Sequence, residues 1–290
     1  MTSLTAVATA IIVLALGVVL ADIVAGGWGR LSWELFTAAP RDGMTEGGIF
    51  PALYGTAILT MLMTVAVMPV GVLTAIYLHE YAPPDSRLAA LVRLAVANLA
   101  GVPSIVFGLF GLGFLIQFVG GGMDRLFNDG ALYYGQPALI WAALTLAVLT
   151  LPVVIVTTEE ALRAVPVDQR TASLALGATR SQTLWRVVLP SALPGVLTGA
   201  VLAISRGAGE VAPILFTGAA YFLPDVPDSL FSQFMHLGYH TYVLATQSPD
   251  VEATAPLLYS TVLVLLLLTF ALNLTALLIR AYARRRAALS

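Results

Sequence analysis

Residues 159–195 read EEALRAVPVDQRTASLALGATRSQTLWRVVLPSALPG. The segment sits between two long apolar runs and has too much punctuation for a plain connection. Pro166 suits the first turn of a helix, and Asp168 follows where a negative charge favours the helix dipole. Gly177 is a natural residue for ending that helix after about ten residues. Thr179 then opens a second helix, with Gln182 three positions on as a capping box. This helix runs through Leu184, Trp185, Val187, Val188 and Leu189 to Pro190, where a new apolar run begins. The pattern predicts two short helices bent at a glycine, presenting their apolar residues together with Arg170, Arg180 and Arg186. Two readings fit this periodicity equally. The pair lies on lipid headgroups with Arg on phosphates, or it docks a partner protein.

The flanks decide what the segment is attached to. A helix needs about 20 apolar residues to cross a bilayer. Six stretches qualify: Leu4–Ala25, Ile49–Leu78, Leu94–Val119, Gly135–Thr157, Ala192–Thr217 and Pro256–Ile279. Pro69, Pro152 and Pro213 fall inside three of them, as membrane helices tolerate. Gly108, Gly111 and Gly113 in the third leave room for close helix packing. The leader MTSLTA has no basic residue, so the first stretch reads as an uncleaved helix. Six spans put both termini on one side. With the N-terminus inside, ten Arg fall in cytoplasmic segments and three in outer loops, which predicts cytoplasmic termini. The stretch from Gly218 to Ala255 has four acids and no basic residue, the mark of an outer segment. One membrane domain over 1–290 is expected, with 158–190 as its cytoplasmic loop and no internal duplication.

Composition agrees. The chain has 290 residues, 59% hydrophobic and 10% charged, with a mean hydropathy of +0.90. Soluble domains carry about a quarter charged residues. A soluble enzyme, a disordered chain and a nucleic-acid binder are excluded. There is no cysteine, and all fourteen basic residues are Arg. Thiolate chemistry, a Walker A lysine and a Schiff base are therefore impossible. The chain binds no ATP through a P-loop of its own.

Gly177, nine residues, Val187, one residue, Leu189 and Pro190 resemble the Gly-x9-Ile-x-Leu-Pro core of the EAA loop. That loop marks the membrane subunits of ATP-binding-cassette importers. Thr171, Ala172 and Ser173 occupy the Glu-Ala-Ala positions, so the middle residue alone matches, and Val187 replaces Ile. Gly209-Glu210-Val211-Ala212-Pro213-Ile214-Leu215-Phe216-Thr217 is similar to the GETAPLLFTA segment of the PstA branch, the phosphate-importer permeases. Gly101–Gly111, Tyr54-Gly55-Thr56 and Ile76–Tyr81 fit the same branch. The resemblance runs from about Gly48 to Arg280.

It implies an all-α membrane protein of six spans, with the type I importer (MetI-like) permease fold. It implies ATPase coupling through Thr171, Ala172, Ser173, Gly177, Arg180, Val187, Leu189 and Pro190. The implied partners are a PstC-like second permease, two PstB-like ATPases that hold the ATP and magnesium, and a PstS-like phosphate-binding protein. The binding protein would meet the outer Tyr221–Ala255 loop. The chain itself then has no catalytic residue and no cofactor.

One basic residue lies inside a predicted span. Arg206 falls some 14 residues beyond Ala192, about 21 Å at the helical rise. An unpaired Arg at that depth costs at least about 2.5–3.5 kcal/mol, so it should face a partner or a wet cavity. Glu210, four residues on, shares its helix face. A locking ion pair is one role. The other places Arg206 on an anion path, where its fork matches two phosphate oxygens and Glu210 tempers the grip. Ser104 and Ser205 are further polar candidates for that path. For them, as for Asn98, interhelical hydrogen bonding is the competing role.

Other residues invite weaker readings. His236 and His240 are spaced i, i+4 without an acid between them, which argues against a metal site and leaves them in an outer loop where a binding protein docks. Glu159 and Glu160 read as a solvated helix end. Trp28, Trp33, Tyr133, Tyr134 and Trp141 read as interface anchors, and Arg284-Arg285-Arg286 as a contact to anionic lipid. An importer of another oxyanion (sulfate, molybdate or a phosphonate) keeps the same class, and the pocket residues alone do not separate these anions. An intramembrane enzyme lacks a nucleophile–base pair, and a self-gated channel leaves the 166–190 segment without a purpose.

Overall fold

Proline and glycine decide where the helices of this chain stop. The computed structural model describes residues 2–287. α1 (Thr2–Trp28) leads to the short α2 (Trp33–Thr37), capped by Ser32, whose Oγ accepts from the Leu35 N–H at 3.3 Å. β1 (Pro40–Arg41) and β2 (Glu46–Gly47) pair antiparallel around a 3-10 turn. α3 (Phe50–Ile76) continues into a π-helical turn over Tyr77–Tyr81. α4 (Arg87–Ala100) is followed by α5 (Ser104–Phe110), which runs through a π stretch at Gly111–Gly120 into α6 (Gly121–Phe127). α7 (Leu139–Arg163) precedes α8 (Val167–Ala175). α9 (Arg180–Thr183) passes through a π turn at Leu184–Val188 into α10 (Leu189–Gly209). α11 (Ile214–Thr217), α12 (Leu237–Thr246) and α13 (Val251–Ala287) complete the chain.

Among the described residues, six helical runs are long and apolar enough to cross a membrane: Leu4–Trp28, Phe50–Tyr81, Ser104–Phe127, Leu139–Arg163, Arg180–Gly209 and Val251–Ile279. Four differ in placement from the sequence expectation by more than three residues, the sixth by starting at Val251 rather than Pro256. The third run was expected over Leu94–Val119, but Pro103 lacks an N–H and pushes the residue before it out of helical conformation. Leu94–Ala100 therefore belong to the separate helix α4. The fourth run ends at Arg163 rather than Thr157. The fifth was expected over Ala192–Thr217 and lies over Arg180–Gly209. Pro190 does not separate the second hairpin helix from the span. The Leu189 N–H reaches back five residues to the Leu184 carbonyl, and this widened turn absorbs the donor that Pro190 lacks. The run stops at Gly209 because Glu210 is extended, with ψ 129.

The chain divides into two compact units. The first comprises Met1–Thr56, Ala220–Pro227 and Phe234–Leu268. Its core gathers Leu35, Ile49, Ala52, Met235, Leu237 and Leu257. Thr56 Oγ1 accepts from the Leu237 N–H at 2.9 Å, and the Tyr259 hydroxyl donates to Asp22 Oδ2 at 3.1 Å. α1 otherwise leaves most of its Val, Ile and Leu side chains exposed, as a lipid-facing helix does.

The second unit comprises Ala57–Ala219, Asp228–Gln233 and Thr269–Ser290. α7 is its axis, with Leu146, Val154, Ile155 and Leu162 buried. Lipid is as apolar as leucine, so close packing rather than water exclusion holds such helices together. α10 lies antiparallel on α7, where Gly199 sits against Thr157 and Gly195 against Ala161. Any side chain at Gly199 collides with the Thr157 hydroxyl. Ala75, Leu78, Ala89 and Ile155 seat α4 on α3 and α7. Trp141, expected as an interface anchor, is buried beside Phe231 and donates through Nε1 to the Tyr134 carbonyl at 2.8 Å. Trp28 and Trp33 remain exposed. The side chains of Arg280 and of Arg284, Arg285 and Arg286 lie outside the described residues, so the lipid contact expected of the triplet does too.

Candidate functional site

The bend at residue 177 follows from backbone conformation. α8 closes with the Gly177 N–H on the Leu174 carbonyl at 3.0 Å and the Ala178 N–H on the Ser173 carbonyl at 3.2 Å. Gly177 has φ +86, and a Cβ there would meet nothing within 4 Å. The glycine is required for its left-handed conformation and not for space. The capping box is present: Thr179 Oγ1 accepts from the Gln182 N–H at 3.2 Å, and Gln182 Oε1 accepts from the Thr179 N–H at 2.9 Å. Pro166 sits one place earlier than expected, at the N-cap of α8.

The hairpin divides its apolar residues between two directions. Leu184 and Val188 are buried with Ile76, Leu162, Val165 and Ala192, and Leu189 packs on that cluster. Val187 is half-buried. These residues were expected to be presented outward; they anchor the hairpin instead. Leu176 is 90% exposed, Val167 68% and Trp185 54%. Thr171, Ala172, Arg180 and Pro190 are exposed, and Ser173 shares a 2.9 Å hydrogen bond with Thr183 across the bend.

Arg170 also turns inward. Its Nη1 donates to Glu80 Oε1 at 2.5 Å and its Nη2 to the Leu162 carbonyl at 2.7 Å. One guanidinium thus ties α8 to the π turn that ends the second span and to the last turn of α7. No residue of α8 is buried, so this clasp supplies much of its attachment. Both side chains are under 20% exposed, and a charged hydrogen bond in such a setting is worth about 1.5–3 kcal/mol. Arg170→Gln is expected to speed tryptic cleavage after Arg180 by about tenfold or more, since each 1.4 kcal/mol is tenfold. The double exchange Glu80→Arg with Arg170→Glu should recover part of the loss. Equal cleavage in all variants would show that the clasp holds nothing.

Arg206 occupies the last turn of α10, where the carbonyl end of the helix favours a cation. Its Nε lies 3.5 Å from Glu210 Oε1. The pair is not sealed: the Arg206 side chain is 44% exposed. It opens into a cavity of about 550 Å³ whose walls include Arg93, Val96, Pro152, Glu159, Glu160 and Arg206. Glu210, Ser104 and Ser205 are not among these walls. Ser205 Oγ is buried without a hydrogen-bond partner among the described residues, and Ser104 is the half-buried first residue of α5.

Two charges that sequence reading missed complete the cavity. Arg93, on α4, donates through Nη2 to the Leu78 carbonyl at 2.7 Å and to Glu159 Oε1 at 3.3 Å. Glu159, expected to be solvated, is 15% exposed and paired. Glu160 is exposed.

His236 and His240 belong to the core of the first unit and cannot meet a docking protein. Both are buried. His236 caps α12, its Nδ1 accepting from the Gly238 N–H at 3.2 Å. Burial pushes His236 down to about 3 and His240 down to about 4, so both are neutral at pH 7. Among the described residues, no three His, Asp or Glu side chains converge as a metal site would need.

A hairpin bent at a glycine, mounted on a helical bundle, is the form expected of an importer permease. Residues 67–288 match the family described as the binding-protein-dependent transport system inner membrane component. The chain belongs to that family. It is 32% identical over 246 residues to the probable ABC transporter permease protein YqgI of Bacillus subtilis (strain 168), covering 80% of this chain and 79% of that protein. It is 38% identical over 199 residues to the phosphate transport system permease protein PstA 1 of Mycobacterium tuberculosis (strain ATCC 25618 / H37Rv), covering 67% of this chain and 59% of that one. A probable PstA of Methanocaldococcus jannaschii is 32% identical, with coverage of 62% and 58%. The permease thus spans about three-fifths of the length of these two PstA relatives. In fold it is similar to a chain of a bacterial alginate ABC transporter, with a TM-score of 0.66, 14% identity and coverage of 94% and 92%. A chain of the inward-facing MetNI methionine ABC transporter gives 0.60, 18% identity and coverage of 80% and 94%. The fold of this permease is therefore that of the type I ABC importers, as the EAA-like core implied.

Proposed function

We propose that this permease forms half of an ATP-driven phosphate path through the bacterial inner membrane, with both termini in the cytoplasm. The observation that carries the reading is Arg206, a half-exposed guanidinium in a membrane span that opens into a largely apolar cavity. Such a charge is expensive in lipid and marks an ion pathway. Likeness to proteins named as phosphate permeases supplies the anion.

The residues suit transient binding. The Arg206 fork matches two oxygens of a phosphate. Glu210, 3.5 Å from Nε, competes for the same cation and limits the affinity. A transport site must bind well enough to load and weakly enough to release. A PstS-like protein delivers phosphate to the outer face, where Tyr221, Phe222, Val226 and Tyr242 expose apolar surface. A PstC-like permease supplies the other half of the path. Two PstB-like ATPases hold ATP and magnesium. The exposed Leu176, Trp185 and Val167 seat in an ATPase, and the Arg170–Glu80 clasp carries its movement to the second span. The path then switches sides by alternating access. ATP energy reaches this chain mechanically, and the chain has no catalytic residue.

Right-side-out membrane vesicles containing all the partners test this. Phosphate should be taken up only with ATP inside, with arsenate competing and sulfate not. Equal uptake of sulfate would overturn the cargo. Uptake by this chain alone would overturn the mechanism.

A further inference from the structure

The cavity beside Arg206 holds a second guanidinium with its own unfilled edge. Arg93 uses Nη2 alone, for the Leu78 carbonyl and Glu159. Among the described residues, its Nη1 and Nε have no partner. The side chain is 50% exposed, on the wall of the same cavity as Arg206. The carbonyl bond orients the fork without neutralising it. The neutralising group is the Glu159 carboxylate, at the longer distance of 3.3 Å.

The two cations stand at different depths. α10 and α7 run antiparallel with Gly199 against Thr157. Seven residues on from Gly199 is Arg206, and seven residues back from Thr157 is Thr150. Arg206 is therefore level with about Thr150 of α7, whereas Arg93 is bound at Glu159. Nine helical residues separate those levels by about 13 Å. The two residues therefore rise from different backbone levels of one cavity wall.

We propose that Arg93 is a second oxyanion station, on the hairpin side of Arg206, which takes phosphate by exchanging it for Glu159. Phosphate oxygens would fill Nη1 and displace the carboxylate from Nη2 while the Leu78 carbonyl keeps the fork aimed. Glu159, once displaced, and the exposed Glu160 then repel the anion and favour its departure. The inference rests on the phosphate-path reading above. It is not served by a simple strut, in which Arg93 and Glu159 act as one structural pair.

The two roles differ in sign. In the purified complex without its binding protein, equilibrium binding of radiolabelled inorganic phosphate is measured for Arg93→Gln, Glu159→Gln and Arg93→Lys. The station requires Arg93→Gln to weaken phosphate binding about tenfold and Glu159→Gln to tighten it, because the competitor is gone. Arg93→Lys should fall between the unchanged complex and Arg93→Gln, since it keeps the charge and loses the fork. Uptake in proteoliposomes should fall in both Gln variants, through poor capture in one and slow release in the other. If Arg93→Gln fails to assemble, tightening by Glu159→Gln still decides the matter. Binding that shifts in the same direction in both Gln variants, or in neither, overturns the station while leaving phosphate transport intact. An unsubstituted complex that takes up no phosphate overturns the function reading and the station with it.

Discussion

Arg206→Gln is expected to lower phosphate uptake about a hundredfold or more, while the chain still assembles with its partners. The replacement keeps most of the stem and a hydrogen-bonding end but removes the charge and the fork. A charge-assisted bidentate contact is roughly twice as strong as a neutral one, and losing about 3 kcal/mol of such contact is about two factors of ten. The structural cost is small. Arg206 is 44% exposed, and its ion pair is the 3.5 Å contact to Glu210. That contact also explains why Gln is worse than a simple loss of affinity. In the Gln variant Glu210 would be left with nothing to offset its charge and would repel the anion. Arg206→Lys keeps the charge and should retain part of the rate. Initial uptake rates, normalised to the yield of assembled complex, provide the measurement. Normal uptake by the Gln variant would remove Arg206 from the path.

Gly177→Val is expected to have the second largest effect: ATP hydrolysis continues, but less phosphate moves with each turnover. At φ +86 a non-glycine residue is strained by about 1–2 kcal/mol, and a β-branched one by more. The chain relieves that strain by opening the end of α8, which costs the bonds from Gly177 to Leu174 and from Ala178 to Ser173. Leu176 and Trp185 then leave the positions in which they present apolar surface. Because no atom lies within 4 Å of the missing Cβ, crowding is not the cause. Gly177→Asn separates the two explanations, since asparagine accepts the left-handed conformation far better than valine. Uptake per ATP hydrolysed should fall about tenfold in the Val variant, the consequence of about 1.4 kcal/mol. The Asn variant should stay close to the unchanged protein. Equal loss in both would mean that bulk matters and backbone conformation does not.

The hairpin was legible because its signals are local. A glycine that must turn, a Thr–Gln box three residues apart and a proline at the entry each act within a few residues of themselves. The six apolar runs were legible for the same reason. Their limits were less so. Pro103 ends α4, whereas Pro190 is carried through by a π turn, and the two prolines look alike in sequence. The inward side of the hairpin was not legible either. Glu80 and Arg170 lie 90 residues apart and Arg93 and Glu159 lie 66 apart. No periodicity links such pairs. The available hint was position: each acid closes an apolar run, where an unpaired charge is costly. Trp141 and the two buried histidines were misplaced because an aromatic near a span end, or an imidazole in a loop between spans, has the same spacing whether it faces outward or a core.

The central claim is that the bend at Gly177 is held by a separate ATPase. The chain has no cysteine, so a single Leu176→Cys substitution gives one reactive site at the exposed tip. A short thiol-to-amine cross-linker applied to membranes containing the full complex is the most direct measurement. The tip should join to the ATPase subunit in high yield, and the joined complex should lose ATP-driven phosphate uptake. A cysteine at residue 176 that labels freely, joins to no ATPase and leaves uptake untouched would contradict the account.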